Sequence, residues 1–157
     1  MKKEVVIVFL HYSYSSYLLQ LRDFEPSIDC PGQWGLFGGR VEKNETIDSA
    51  VYRELLEELH YVPTSIRKIR TYTTDNLACH SFCCDLKVPL SNLVLLEGID
   101  MGVFTKEEIF SERLYSQKYK KHFPLSHILI EYFNDLLDSI ALIKTHNSNF
   151  KISNLRS

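Results

Sequence analysis

The chain has 157 residues, which suits one compact domain built around a single core. With 45% hydrophobic, 12% aromatic and 24% charged residues it has the apolar material for that core, which excludes a disordered or collagen-like chain. Eighteen basic against twenty acidic residues leave a net charge of −2, so no overall basic field points to a nucleic-acid duplex or an anionic membrane. A small, locally recognised ligand is expected instead.

The first apolar run, Val5–Leu10, is far shorter than the roughly 18–20 residues that cross a bilayer, and no small-residue cleavage site follows it. It reads as a strand, and no membrane partner is expected. Glu4–Tyr12 and Ser16–Arg22 form an opening antiparallel hairpin, followed by a loop over Asp23–Gly32 and a short apolar strand over Gln33–Phe37 that runs into Gly38-Gly39. Arg40–Glu45 is a polar loop. Thr46 then caps a helix over about 46–59, whose apolar stripe falls at residues 47, 50, 51, 55 and 59, with Pro63 as a stop signal.

Three further strands are expected at Ile66–Thr74, Leu77–Val88 and Asn92–Glu97, the first two joined by a turn at Asp75-Asn76, and a short one at Met101–Phe104. Thr105-Lys106-Glu107-Glu108 has the signature of a helix start. Pro124–Ile143 has the spacing of a longer amphipathic helix, and 144–157 is a polar tail, so one domain is expected over 1–143. Cys30, Cys79, Cys83 and Cys84 contain no Cys-x-x-Cys pair and read as reduced thiols of a cytoplasmic protein.

The chemistry is concentrated between Gly39 and Tyr61. At about 100° per residue, with Ile47 at zero, Glu54 and Glu58 fall at about 340° and 20°, inside the apolar stripe, with Glu57 about 60° to one side of Glu54. Carboxylates on a core-facing stripe are costly and three together repel one another, so something cationic must sit among them. Lysine and arginine are candidates. A hard divalent cation such as Mg²⁺ or Mn²⁺ also suits three carboxylates, and it retains waters that a phosphate substrate can displace. The double glycine upstream lets backbone approach such a centre closely, since no Cβ intervenes.

Read as Gly, five residues, Glu, seven residues, Arg-Glu-apolar-x-Glu-Glu, the stretch Gly39 to Glu58 resembles the signature box of the Nudix hydrolases. Gly39, Glu45, Arg53, Glu54, Leu55, Glu57 and Glu58 all stand at that family's spacing. One departure is His60, where the box usually has Gly. The helix must then end on a histidine, one of the non-glycine residues that tolerate a left-handed backbone.

The resemblance implies an α/β/α sandwich with a mixed sheet and hydrolysis of a nucleoside diphosphate linked to another group, by water attack at phosphorus. It implies that Glu54, Glu57 and Glu58 hold Mg²⁺ or Mn²⁺, with the carbonyl of Gly38 as a further ligand. Glu45 and Arg53 would pair to fix the loop against the helix, and the general base would be Glu58 or the loop acid Glu97. The leading substrate is a nucleoside triphosphate, plain or oxidised, cleaved to monophosphate and pyrophosphate. A nucleotide sugar, a dinucleotide or a non-catalytic sensor are the alternatives.

Around that centre, Arg22 and Arg40 are candidate phosphate contacts. Trp34 and Phe37 flank the glycines and are candidates to stack on a base, although residues three apart in a strand face opposite sides and also suit the core. His127 in the C-terminal helix reads as a packed residue rather than a catalytic one. Nucleic acid is expected only as RNA 5′ ends, for which Arg67-Lys68-Ile69-Arg70 and Lys118-Tyr119-Lys120-Lys121 would supply charge. A homodimer is compatible with the sequence.

Overall fold

The computed structural model describes residues 2–13 and 15–138. The strands are β1 (Lys3–Ser13), β2 (Ser16–Leu21), β3 (Trp34–Gly35), β4 (Arg67–Thr73), β5 (Leu77–Asp85), β6 (Asp100–Thr105), β7 (Arg113–Ser116) and β8 (Lys121–Pro124). The helices are α1 (Ile47–Leu59), the single turn α2 (Lys106–Ile109) and α3 (residues 127–138).

The main sheet runs β3-β2-β1-β5-β4, with β6 added along β2. β1 and β5 are parallel over nine residue pairs and the other pairings are antiparallel, so the sheet is mixed. Central strands covered on both faces must be apolar throughout, which is why β1 reads as a continuous run rather than an alternation. Val6, Val8 and Leu10 face one layer with Leu18, Phe37, Phe82 and the α1 residues Ala50, Val51, Leu55 and Leu59. Ile7 and Phe9 face the other with Leu19, Leu21, Trp34 and the α3 residues Leu129, Phe133 and Leu136. Helix, sheet and helix form the expected sandwich.

β1 and β2 pair directly only near their hairpin, at Leu10↔Leu18, His11↔Tyr17 and Ser13↔Ser16. Beyond it they splay, and residues 34–41 enter the gap. Gly35 and Trp34 pair with Gln20 and Leu21, while the N–H groups of Val8 and Val6 donate to the carbonyls of Phe37 and Gly39 at 2.9 Å. Gly38 stands in this wedge at φ +124, where a Cβ would lie 2.2 Å from the Val6 carbonyl oxygen. No other residue fits there.

Several expectations change. Asn92–Glu97 is not a strand: residues 90–92 form one 3-10 turn, and the segment after it hangs on the end of α1 through Val94 N–H to Leu59 O and Leu96 N–H to Glu58 O. Pro124 closes β8 instead of opening the last helix, which begins at 127. The hairpin of β7 and β8 was not expected at all, because its pattern is short and interrupted by the basic run 118–121. The expected helix end at 139–143 and the tail lie outside the described residues. All four cysteines are free thiols, and among the described residues no helix is long and apolar enough to cross a membrane.

Candidate active site

α1 is positioned by its ends. Thr46 is the N-cap and its hydroxyl accepts the Ser49 N–H at 3.1 Å. His60 closes the helix in the left-handed conformation, φ 52 and ψ 37, with its N–H on the Leu56 carbonyl at 3.0 Å. Between these caps the apolar stripe holds the helix on the sheet and carries Glu54 and Glu58 inward with it.

Arg53 organises the outer half of the acidic cluster. Its Nε and Nη2 donate to the two carboxylate oxygens of Glu45, both at 2.9 Å, and Nη2 also reaches the Arg40 carbonyl at 2.7 Å. Its Nη1 donates to Glu54 at 2.8 Å and to Glu57 at 3.0 Å. The guanidinium holds the Glu45 carboxyl below the usual carboxylate range, and Glu45 in turn makes Arg53 harder to deprotonate than usual. The loop 40–45 is thereby clamped to the helix, as the pair Glu45 and Arg53 was expected to do.

The inner half lacks such a cation. Glu58 is 1% exposed, and its carboxylate accepts the Gly38 N–H at 2.8 Å on one oxygen and Gln20 Nε2 at 3.0 Å on the other. Burial nevertheless pushes its carboxyl up to about 8, with Glu97 and Glu54 adding like charge. Glu54 is raised too, chiefly by burial and against the pull of Arg53. Its carboxylate occupies the space a side chain at Gly39 would need, with Oε1 only 2.5 Å from the position of such a Cβ.

Two buried carboxylates with raised pKa, an acidic neighbour and two glycines that let backbone close in form a donor set that suits a hard cation. The fit is incomplete in one respect. Among the described residues no three carboxylates converge on one point, because Glu57 points outward, 57% exposed, on Arg53. The Gly39 carbonyl is engaged by Val6 N–H. Among the described residues the Gly38 carbonyl accepts no hydrogen bond.

Gly38 and Gly39 also line a cavity of about 210 Å³, bounded by Val5, Ile7, Arg22, Cys30, Arg40 and Ser126 among others. Both arginines expected at phosphate are therefore on its wall. Arg22 is steadied there by its Nε on the Asp29 carbonyl at 2.7 Å. Glu97 lies exposed on the loop beside α1, close enough to Glu54 and Glu58 for its charge to be felt by both.

Trp34 and Phe37 are corrected to core residues. Both are fully buried, in opposite layers, with Trp34 Nε1 satisfied by the Leu114 carbonyl at 3.0 Å, so neither offers a face to a base. His127 is exposed at the start of α3 rather than packed, with its Nδ1 3.5 Å from Cys30 Sγ. Gln20 was missed. The one available signal was a polar residue inside the apolar run Tyr17-Leu18-Leu19-Gln20-Leu21.

No curated protein matches the chain. The solution structure of the E. coli ORF135 protein, by contrast, superposes with a TM-score of 0.64 at 22% identity, covering 90% of this chain and 94% of that one. The NUDIX domain of Shewanella oneidensis NrtR, complexed with ADP ribose, gives 0.66 at 15% identity over 89% of each chain. A MutT NUDIX hydrolase from Burkholderia pseudomallei gives 0.61 at 19% identity over 82% and 92%. The family model described as NUDIX domain matches residues 1–123, and with the box Gly39 to Glu58 folded as loop and helix the chain belongs to that family, whose hydrolases act on pyrophosphate bonds.

Proposed function

We propose that the protein is a metal-dependent pyrophosphohydrolase of nucleoside diphosphate-linked compounds, with a nucleoside triphosphate, plain or oxidised, as the leading substrate. The observation that carries this reading is the buried Glu58, which no cation pairs among the described residues, beside the buried Glu54 and against the two glycines that also line the cavity holding Arg22 and Arg40.

Glu54 and Glu58, joined by Glu57 after rotation off Arg53, and the Gly38 carbonyl would hold Mg²⁺ or Mn²⁺. A bound ion supplies charge screening for the pyrophosphate and acidifies a water. Arg22 and Arg40 hold phosphate oxygens from the cavity wall. Glu97, exposed beside the buried pair, would take the proton of the attacking water, and Glu58 is the other candidate base. Water bonds to phosphorus as the bond to the departing pyrophosphate breaks. A sugar linked through a nucleoside diphosphate is the second reading, favoured by the ADP ribose held by the NrtR domain of the same architecture.

The test is a screen with Mg²⁺ and, separately, Mn²⁺ against nucleoside triphosphates, oxidised nucleotides, nucleotide sugars and dinucleotides. Monophosphate and pyrophosphate from a triphosphate is the expected result. No turnover of any of them by protein that binds the ion would overturn the reading. In the same assay, Glu97→Gln should lower kcat by about 10²-fold or more if Glu97 is the base. An effect under about threefold leaves the role to Glu58.

A further inference from the structure

β2 is buried along its whole length, and five of its six residues are apolar or small. Gln20 is the exception. It is 1% exposed, and an amide taken out of water costs several kcal/mol unless every polar atom finds a partner. Its Nε2 supplies both protons, one to Glu58 Oε1 at 3.0 Å and one to the Leu36 carbonyl at 3.1 Å. Its Oε1 faces Gly98, 3.0 Å from where a Cβ would stand there.

Gly98 has φ +86, and its backbone is held by Asp23 Oδ2 on its N–H at 3.2 Å, while the next residue, Ile99, donates to the Leu21 carbonyl at 2.9 Å. The loop carrying Glu97 is therefore laid directly over Gln20. One side chain touches the inner carboxylate of α1, the strand segment leading to Gly38-Gly39, and the loop that bears the second candidate base.

The choice of an amide is informative. Arg53 holds Glu45, Glu54 and Glu57 with a positive charge that the three share. Gln20 holds Glu58 with a neutral donor and adds no charge, so among the described residues no fixed cation competes with a metal ion for that carboxylate.

We propose that Gln20 is a positioning residue of this active site, orienting the Glu58 carboxylate for the metal through its Nε2 and spacing the Glu97 loop against it. This rests on the reading of Glu58 as a metal-holding carboxylate. Outer partners of metal ligands are typically worth about 10–100-fold in affinity or activity.

The experiment measures Mn²⁺ affinity, by the electron paramagnetic resonance of free Mn²⁺, for the full chain and for Gln20→Met, Gln20→Asn, Glu58→Gln and the double variant Gln20→Met/Glu58→Gln. Thermal melts identify which are folded. Gln20→Met keeps the volume and loses the donor, and Gln20→Asn keeps the amide but withdraws it by one methylene, so that a folded variant is available if the first fails. Each should bind Mn²⁺ about tenfold more weakly and, on the nucleotide returned by the screen, lose kcat by about tenfold with KM within about threefold.

In the Glu58→Gln background the change at Gln20 should move Mn²⁺ affinity by less than about twofold, because the group it acts through is gone. Unchanged affinity and kcat in a folded Gln20 variant would overturn the proposal. So would an equal loss in the Glu58→Gln background, since that is the behaviour of a merely structural residue. Failure of the unaltered chain to bind Mn²⁺ would instead overturn the metal reading of Glu58, and this inference with it.

Discussion

Glu57 and Glu58 are neighbours in sequence and opposite in circumstance. A step of about 100° around α1 leaves Glu58 inside the apolar stripe, buried against Gly38 and Gln20, while Glu57 stands in solvent on Arg53. The outer network is thus a clamp, in which one guanidinium is shared among the carboxylates and the product is a fixed loop. Glu58, by contrast, is held among the described residues by neutral donors alone, with no arginine to balance it. Between these two adjacent residues the difference in surroundings is whether the partner is an arginine or an amide.

The contrast can be broken most directly at the two glutamates. Glu58→Gln should lower kcat by about 10³-fold and Glu57→Gln by about 10²-fold, with both proteins melting cooperatively, since charge changes and volume hardly does. Equal losses in steady-state kinetics would mean that Glu57 leaves Arg53 and becomes an equal partner in the working enzyme.

The inner carboxylate should also leave a mark on stability. Its folded pKa of about 8 lies above the ordinary 4.5, so the folded state holds a proton that the unfolded state has lost across that window. The metal-free protein should therefore be most stable below about pH 4.5 as far as this group is concerned, and lose stability as pH rises towards 8. The slope is at most about 1.4 kcal/mol per pH unit. Chemical denaturation at several pH values should show that slope, Mg²⁺ should reduce it, and Glu58→Gln should abolish it. A slope that survives Glu58→Gln belongs to another group.

At the clamp the expected effects are smaller. Arg53→Met should cost about 1–2 kcal/mol, because Glu45, Glu54 and Glu57 lose a shared cation, and Arg53→Lys should recover little of it, since a single ammonium cannot span Glu45 with two parallel bonds. Denaturant titration measures both, and full recovery in the lysine variant would show that charge rather than geometry holds the loop. At the end of the same helix, His60→Gly should stabilise by about 0.5–1 kcal/mol, since the left-handed cap suits glycine better. A lower melting temperature would mean that the imidazole itself contributes.

Where a signal was local, it could be read. The N-cap at Thr46, the left-handed close at His60, the turn at Asp75-Asn76 and the capping box of Thr105 with Glu108 each depend on a few adjacent residues. The inward phase of Glu54 and Glu58 follows from helical spacing alone. The strand assigned to Asn92–Glu97 failed because Leu93 and Leu95 pack on the α1 layer while Val94 and Leu96 stand exposed, and the segment bonds to the end of α1 instead of to a strand. Trp34 and Phe37 could be set on opposite faces from sequence, but that neither meets solvent depended on the layers above them, α3, β7 and β8 covering the tryptophan from far along the chain.

The box and its helix, with their spacing of acids, arginine and glycines, were determined by the sequence itself, because every relation in them spans a turn or two of chain. The splaying of β1 from β2, the entry of residues 34–41 into the gap, and the meeting of Gln20, Glu58 and Gly98 were decided by the tertiary structure. Those contacts join residues 20, 38, 58 and 98, and only the long-range pairing of strands brings such distant positions together. The sequence named the carboxylates, and the sheet chose which of them would face a cation without a neutralising arginine.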